Sequence, residues 1–222
     1  MPASDTKAQR CRAVVVFSGN GSNLQALLDA ASQTDSSYQV VAAITNKEAA
    51  FGLERARRAA VDRVVIDHRQ YTSREAFDTV LADCIEGFGA ELVILAGFMR
   101  ILSDTFVARF HGRLINIHPS LLPKYPGLNT HQRALDGGDR EAGCSVHFVT
   151  EELDGGPTIL QARVAIEAGD TAASLAARVL LQEHRLYPLV ANWYGMGRLA
   201  LDSKGVLLDG QLLPPQGATV NR

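Results

Sequence analysis

Arg12-Ala13-Val14-Val15-Val16-Phe17 runs directly into Ser18-Gly19-Asn20-Gly21-Ser22-Asn23, after which residues 23–31 carry apolar side chains at helical spacing. The pattern is strand, glycine-rich loop, helix. Apolar β-branched runs recur at 40–44, 64–66, 92–95 and 114–117, with helical stretches at 51–60, 73–87 and 103–110 between them. Alternating β and α units predict an α/β fold: a mostly parallel twisted sheet with helices on both faces, of Rossmann-like form.

The loop at 18–23 leaves backbone N–H groups free at the start of a helix, an arrangement that favours an anion. A dinucleotide fingerprint would need glycine at position 24 and an acidic residue closing the second strand. Position 24 is Leu, and that strand closes Thr45-Asn46-Lys47. No Gly-Lys-Ser/Thr follows the glycines, so a Walker loop is absent as well. A single phosphate, or simply a tight βα turn, remains.

The strand Arg113-Leu114-Ile115-Asn116-Ile117-His118 breaks at Pro119-Ser120-Leu121-Leu122-Pro123. Side chains alternate along a strand, so Asn116 and His118 share one face about 7 Å apart and can address one cavity. A hydrogen-bond donor and a proton-handling group at a strand end suit a small electrophile, although a capped strand with a core histidine gives the same pattern. Leu153-Asp154-Gly155-Gly156 adds a carboxylate at a turn, itself explicable as an Asp-Gly turn. Beyond position 118 the pattern predicts a Pro/Gly-rich loop at 119–128, a short helix at 130–137 and strands at 144–149 and 158–165. The strand pairing is left open. Asp170-Thr171 caps a helix running to about 194, with Pro188 as a kink or early stop. Its apolar stripe includes Glu183, a buried carboxylate that needs a partner, for which an arginine is one candidate.

Net charge is −2 with both signs interspersed, which leaves no electrostatic footprint for nucleic acid or an anionic membrane. The partners are expected to be small molecules. The three cysteines are widely spaced and lack a C-x-x-C pattern, so neither a disulfide framework nor a metal site is expected, and a cytoplasmic location fits. The longest apolar stretch, 92–99, is too short to span a bilayer.

Four stretches together resemble a known family: Phe17-Ser18-Gly19-Asn20-Gly21-Ser22-Asn23-Leu24, Ala96-Gly97-Phe98-Met99-Arg100-Ile101-Leu102, Asn116-Ile117-His118-Pro119-Ser120-Leu121-Leu122-Pro123 and Leu153-Asp154-Gly155-Gly156-Pro157. The chain is similar, from about residue 12 to its end, to the phosphoribosylglycinamide formyltransferases, the folate-dependent transformylases of purine biosynthesis. The resemblance implies transfer of a formyl group from 10-formyltetrahydrofolate, as co-substrate and without a metal, to the amine of glycinamide ribonucleotide. It places the substrate phosphate on Gly21, Ser22 and Asn23, and the ribose hydroxyls on Glu183. It gives Met99, Arg100, Ile101, Leu102 and Asn116 to the folate pocket, closed by Thr150, Glu151, Glu152, Leu153 and Asp154, with Arg74 meeting the glutamate tail. Asn116, His118 and Asp154 become the catalytic group. One folding unit over 1–222 is then expected: a disordered or extended tail at 1–11, a phosphate-binding βα half at 12–117 and a folate-binding, catalytic half at 118–222, as a monomer or weak homodimer. One departure stands out: relatives commonly read Gly-Leu-His-Thr-His where this chain has Gly127-Leu128-Asn129-Thr130-His131.

The chemistry is coherent without the name. An amine attacking a formyl carbon develops negative charge on the formyl oxygen, where one oriented donor is worth about 3–4 kcal/mol. Asn116 and a cationic His118 can donate there, while Asp154 orients the imidazole and orders a water that carries the proton from amine to leaving nitrogen. The alternative enzyme is a formyltetrahydrofolate hydrolase, which passes the formyl group to water and carries an extra amino-terminal domain. A methionyl-tRNA formyltransferase would call for an RNA-binding domain and a more basic surface. A non-catalytic binding module on the same sheet would have no use for the trio.

Overall fold

The computed structural model describes residues 9–219. Most of the expected tail, residues 1–8, lies outside them, and the first strand, β1 (Cys11–Phe17), begins one residue earlier than the sequence pattern indicates. Then follow α1 (Ser22–Ala31), β2 (Tyr38–Thr45), α2 (Gly52–Arg58), β3 (Asp62–Val65), α3 (Arg74–Gly87), β4 (Leu92–Leu95), α4 (Asp104–Arg109) and β5 (Leu114–His118). These five strands pair in parallel in the order β3-β2-β1-β4-β5.

Both faces of the inner strands are covered, which is why β1 and β4 are apolar without alternation, whereas the edge strand β3 is largely exposed. Ala13, Val15 and Phe17 of β1 pack into one core with Leu24 and Leu27 of α1, whereas Val14 and Val16 pack into the other with Phe77, Leu81 and Ile85 of α3. The strand order reverses between β1 and β4. Ligand crevices in open α/β sheets form at such a reversal, outside the carboxyl ends of the strands. Here the loops after β1 and β4 meet, and Ser18 N–H donates to Gly97 O at 3.2 Å.

After α5 (Thr130–Asp136) come β6 (Glu141–Phe148) and β7 (Thr158–Ala165), and both extend the sheet antiparallel, which answers the pairing question the sequence leaves open. α6 (Ala172–Gly195) is entered through a capping box between Thr171 and Ser174. It passes Pro188 and continues to Gly195, so the early stop does not occur. Its buried Tyr187 hydroxyl reaches the carbonyl oxygens of Leu95 at 2.8 Å and Ile115 at 3.1 Å, fastening the helix to β4 and β5 beside Asn116. The chain ends in a small antiparallel sheet, β8 (Leu199–Asp202), β9 (Gly205–Leu208) and β10 (Gln211–Leu212), before β11 (Ala218–Thr219) returns parallel to β7. Among the described residues no helix is long and apolar enough to cross a membrane.

Candidate active site

Ile115 and Ile117 pack into the core beneath α6, so Asn116 and His118 take the opposite side of β5. β6 runs alongside, with His147 across from Asn116 and Ser145 across from His118. The turn from β6 to β7 then doubles back over them. At its bend Asp154 adopts φ 53°, and a Cβ on Gly156 would run into the Phe148 carbonyl, which is why the turn needs glycine there. Asp154 Oδ2 ends 3.4 Å from His118 Nδ1, and Oδ1 lies 3.9 Å from His147 Nε2. The expected trio is thus brought together, and His147 joins it.

The loop after β5 closes the cluster. His118 Nε2 donates to the Tyr125 carbonyl at 2.9 Å, and Gly127 N–H donates to Asp154 Oδ2 at 2.8 Å. Nε2 is thus engaged by a main-chain carbonyl, while Nδ1 faces the Asp154 carboxylate. The loop is anchored from below: Ser145 Oγ donates to Ser120 O at 2.7 Å and accepts from Leu122 N–H at 3.0 Å, while Gln161 Nε2 donates to Leu122 O at 2.8 Å. Asn129, where the chain departs from the resemblance, sits at φ 56° before α5, a backbone conformation asparagine tolerates well. A cavity of about 340 Å³ lies against this loop, lined by Leu122, Tyr125, His131, Gln161 and Arg163; neither Asn116 nor Asp154 reaches it.

At the switch point Gly21 takes φ 73° as the residue before α1, with no side-chain cap and no acidic residue in the first turn of the helix. The first N–H groups of α1 are left for an outside acceptor. Glycine has a packing role here too, since a Cβ would lie 2.8 Å from Gly52 Cα. Asn23 Nδ2 donates to Glu183 Oε2 at 2.7 Å, which joins the loop to α6. Glu183 is buried and pairs with this amide instead of an arginine, and burial raises its carboxyl above the usual range, partly offset by the Asn23 hydrogen bond. Among the described residues the buried Asn23 Oδ1 has no hydrogen-bond partner, an acceptor waiting for a donor such as a hydroxyl.

The remaining expected residues fall on the neighbouring loops. Met99 N–H donates to Ser18 Oγ at 3.0 Å, and Ser18 Oγ donates to Asn46 Oδ1 at 2.7 Å, so the segment 98–102 is tied to the anion loop. Met99 and Ile101 are exposed, Leu102 is buried, and Arg100 lies over the Phe77 ring. Thr150 is half-buried, while Glu151, Glu152 and Leu153 are exposed on the β6–β7 turn. Arg74 stands exposed in the first turn of α3 beside Glu75. It is one helical turn before Phe77, whose ring stacks on Phe98. Sequence reading missed His147, Tyr125 and Gly127, whose roles depend on strand register and on how the loop folds back. Among the described residues no group of three or more His, Cys, Asp or Glu is placed to hold a metal.

An open α/β sheet with an anion-ready loop at its switch point and an amide, imidazole and carboxylate at the next strand end defines a group-transfer enzyme acting on a small anionic substrate. The chain belongs to the formyl transferase family, whose model matches residues 11–191. It is 55% identical to the phosphoribosylglycinamide formyltransferase of Escherichia coli over 92% of this chain and 96% of that one. The bovine trifunctional purine biosynthetic protein adenosine-3 is 44% identical over 89% of this chain and 20% of its own length. Among solved structures, the phosphoribosylglycinamide formyltransferase of Coxiella burnetii in complex with CHES superposes with a TM-score of 0.92 at 45% identity, covering 96% of this chain and all of that one.

Proposed function

We propose that this protein transfers the formyl group of 10-formyltetrahydrofolate to the amine of glycinamide ribonucleotide, acting as a phosphoribosylglycinamide formyltransferase in purine biosynthesis. The observation that carries the reading is the meeting of His118 and Asp154 at the end of β5, which also bears Asn116, two strands from an anion loop braced by Glu183. Two substrates can then meet: a phosphate and ribose at residues 21–23 and 183, a folate along 98–102 and 150–154, with Arg74 at its tail. The protein is read as a monomer or weak homodimer of the cytoplasm.

His118 Nε2–H is committed to Tyr125, so Nδ1 is the nitrogen left for the reacting atoms, beside Asp154 Oδ2. As the amine attacks the formyl carbon, Asn116 and His118 stabilise the charge growing on the formyl oxygen. Asp154 holds the imidazole in place and orders the water that moves a proton from the amine to the departing folate nitrogen.

Glu183→Gln tests the assignment of the two pockets. Loss of a charged hydrogen bond to ribose should raise the KM for the ribonucleotide by the equivalent of about 1–3 kcal/mol and leave the folate KM unchanged. Equal changes in both would remove Glu183 from substrate recognition.

A further inference from the structure

His147 is used by no step above, yet it is buried next to the reacting groups and directly across from Asn116. Its two ring nitrogens have unlike neighbours. Nδ1 lies 2.8 Å from the Phe148 carbonyl oxygen, which can only accept, so Nδ1 carries the proton. Nε2 lies 3.2 Å from Asn116 Nδ2, which can only donate, so Nε2 presents its lone pair. Burial pushes the ring's pKa below the ordinary value, opposed by the Phe148 hydrogen bond and by Asp154 on the β6–β7 turn, with His118 on β5 adding to the lowering.

The Asn116 carboxamide makes no other side-chain hydrogen bond among the described residues. The two ends of a carboxamide are nearly the same shape, so packing alone does not decide which end is the oxygen. A flipped amide would set Oδ1 against the Nε2 lone pair, two acceptors facing each other. We infer that His147 is a positioning residue, whose Phe148-fixed tautomer holds the Asn116 amide with its nitrogen in place to donate to the formyl oxygen. This rests on the role given to Asn116 above. The chain of cause runs from a main-chain carbonyl through one imidazole to the donor of the oxyanion site, without His147 touching substrate.

Two measurements test it. The first is 15N NMR of the ligand-free labelled protein near pH 7.5, which should show His147 protonated at Nδ1 and bare at Nε2. A ring protonated at Nε2 overturns the inference. The second compares His147→Gln with His147→Asn. A glutamine places a carbonyl oxygen near the position of Nε2 and can still accept from Asn116, whereas asparagine reaches only the position of Nδ1. His147→Asn should lower kcat by about tenfold or more with both KM values little changed, and His147→Gln should recover most of that loss. Equal kcat in the two variants, or a change in KM alone, contradicts the inference. Failure of the wild-type protein to transfer formyl groups would instead strike at the function proposed above and leave the NMR result to stand by itself.

Discussion

Asp154 carries two duties that one substitution can separate. Oδ2 accepts the Gly127 N–H and also faces His118 Nδ1, so Asp154→Asn can keep the loop contact while removing the charge beside the ring. Turnover should fall by about a hundredfold, the scale of a lost orienting or proton-handling group, with melting temperature nearly unchanged. Near-normal turnover in a folded variant would take Asp154 out of the mechanism. Glu183 shows the opposite balance between stability and function. Its carboxyl is raised by burial, so the folded state loses stability as pH rises through that raised value. Glu183→Gln should therefore be at least as stable as wild type in urea unfolding at pH 7 while binding the ribonucleotide less well. Marked destabilisation would make the carboxylate a structural group. At this scale Asn116, His118 and Glu183 stood out as polar groups in an apolar strand and a helix stripe, whereas Asp154 read as an ordinary Asp-Gly turn until the resemblance set it beside them. His147 was equally conspicuous within the apolar β6, but its partner depends on register between strands thirty residues apart, which one sequence does not display.

The loop after β5 behaves as an element held from below. Ser145→Ala would leave the buried Leu122 N–H without an acceptor and release Ser120, a cost of about 1–3 kcal/mol in denaturant unfolding. A change under about 0.5 kcal/mol would show that the loop is held elsewhere. The anion loop is better tested by a ligand than by mutation. Substitution at Gly21 would clash with Gly52 and strain a positive φ, so it would damage folding whatever binds there. Inorganic phosphate or sulfate should compete with the ribonucleotide and not with the folate; competition with both, or with neither, would remove the phosphate from residues 21–23. Elements were read well where burial on both faces wrote continuous apolar runs, as in β1 and β4. The hairpin of β9 and β10 was missed even though Asp209-Gly210, with φ of 53° and 77°, is a strong two-residue turn signal. Flanking strands of four and two residues are too short and too exposed to show a period.

For the whole molecule, the parallel half was legible because βα units repeat with one hand and one burial pattern, whereas the antiparallel addition of β6 and β7 rests on long-range pairing. The assembled fold also sets a pH response. Burial lowers the pKa of His147, His131 and His184 below the ordinary 6.5, so the unfolded chain binds more protons than the folded one as pH falls through that value. The stability these neutral rings contribute is present above about 6.5 and is lost below it. His147 is the most buried of the three and should dominate. Melting temperature should drop between pH 7.5 and 5.5, and the slope should flatten in His147→Gln; an unchanged slope would mean the ring is not held neutral. The central claim is that one site passes a formyl group between two small molecules. It is tested most directly by mixing the protein with 10-formyltetrahydrofolate and following release of the folate with and without glycinamide ribonucleotide. Release should depend strictly on the ribonucleotide, with one formylated product for each folate freed. Release at the same rate without the amine would contradict it and make the protein a hydrolase.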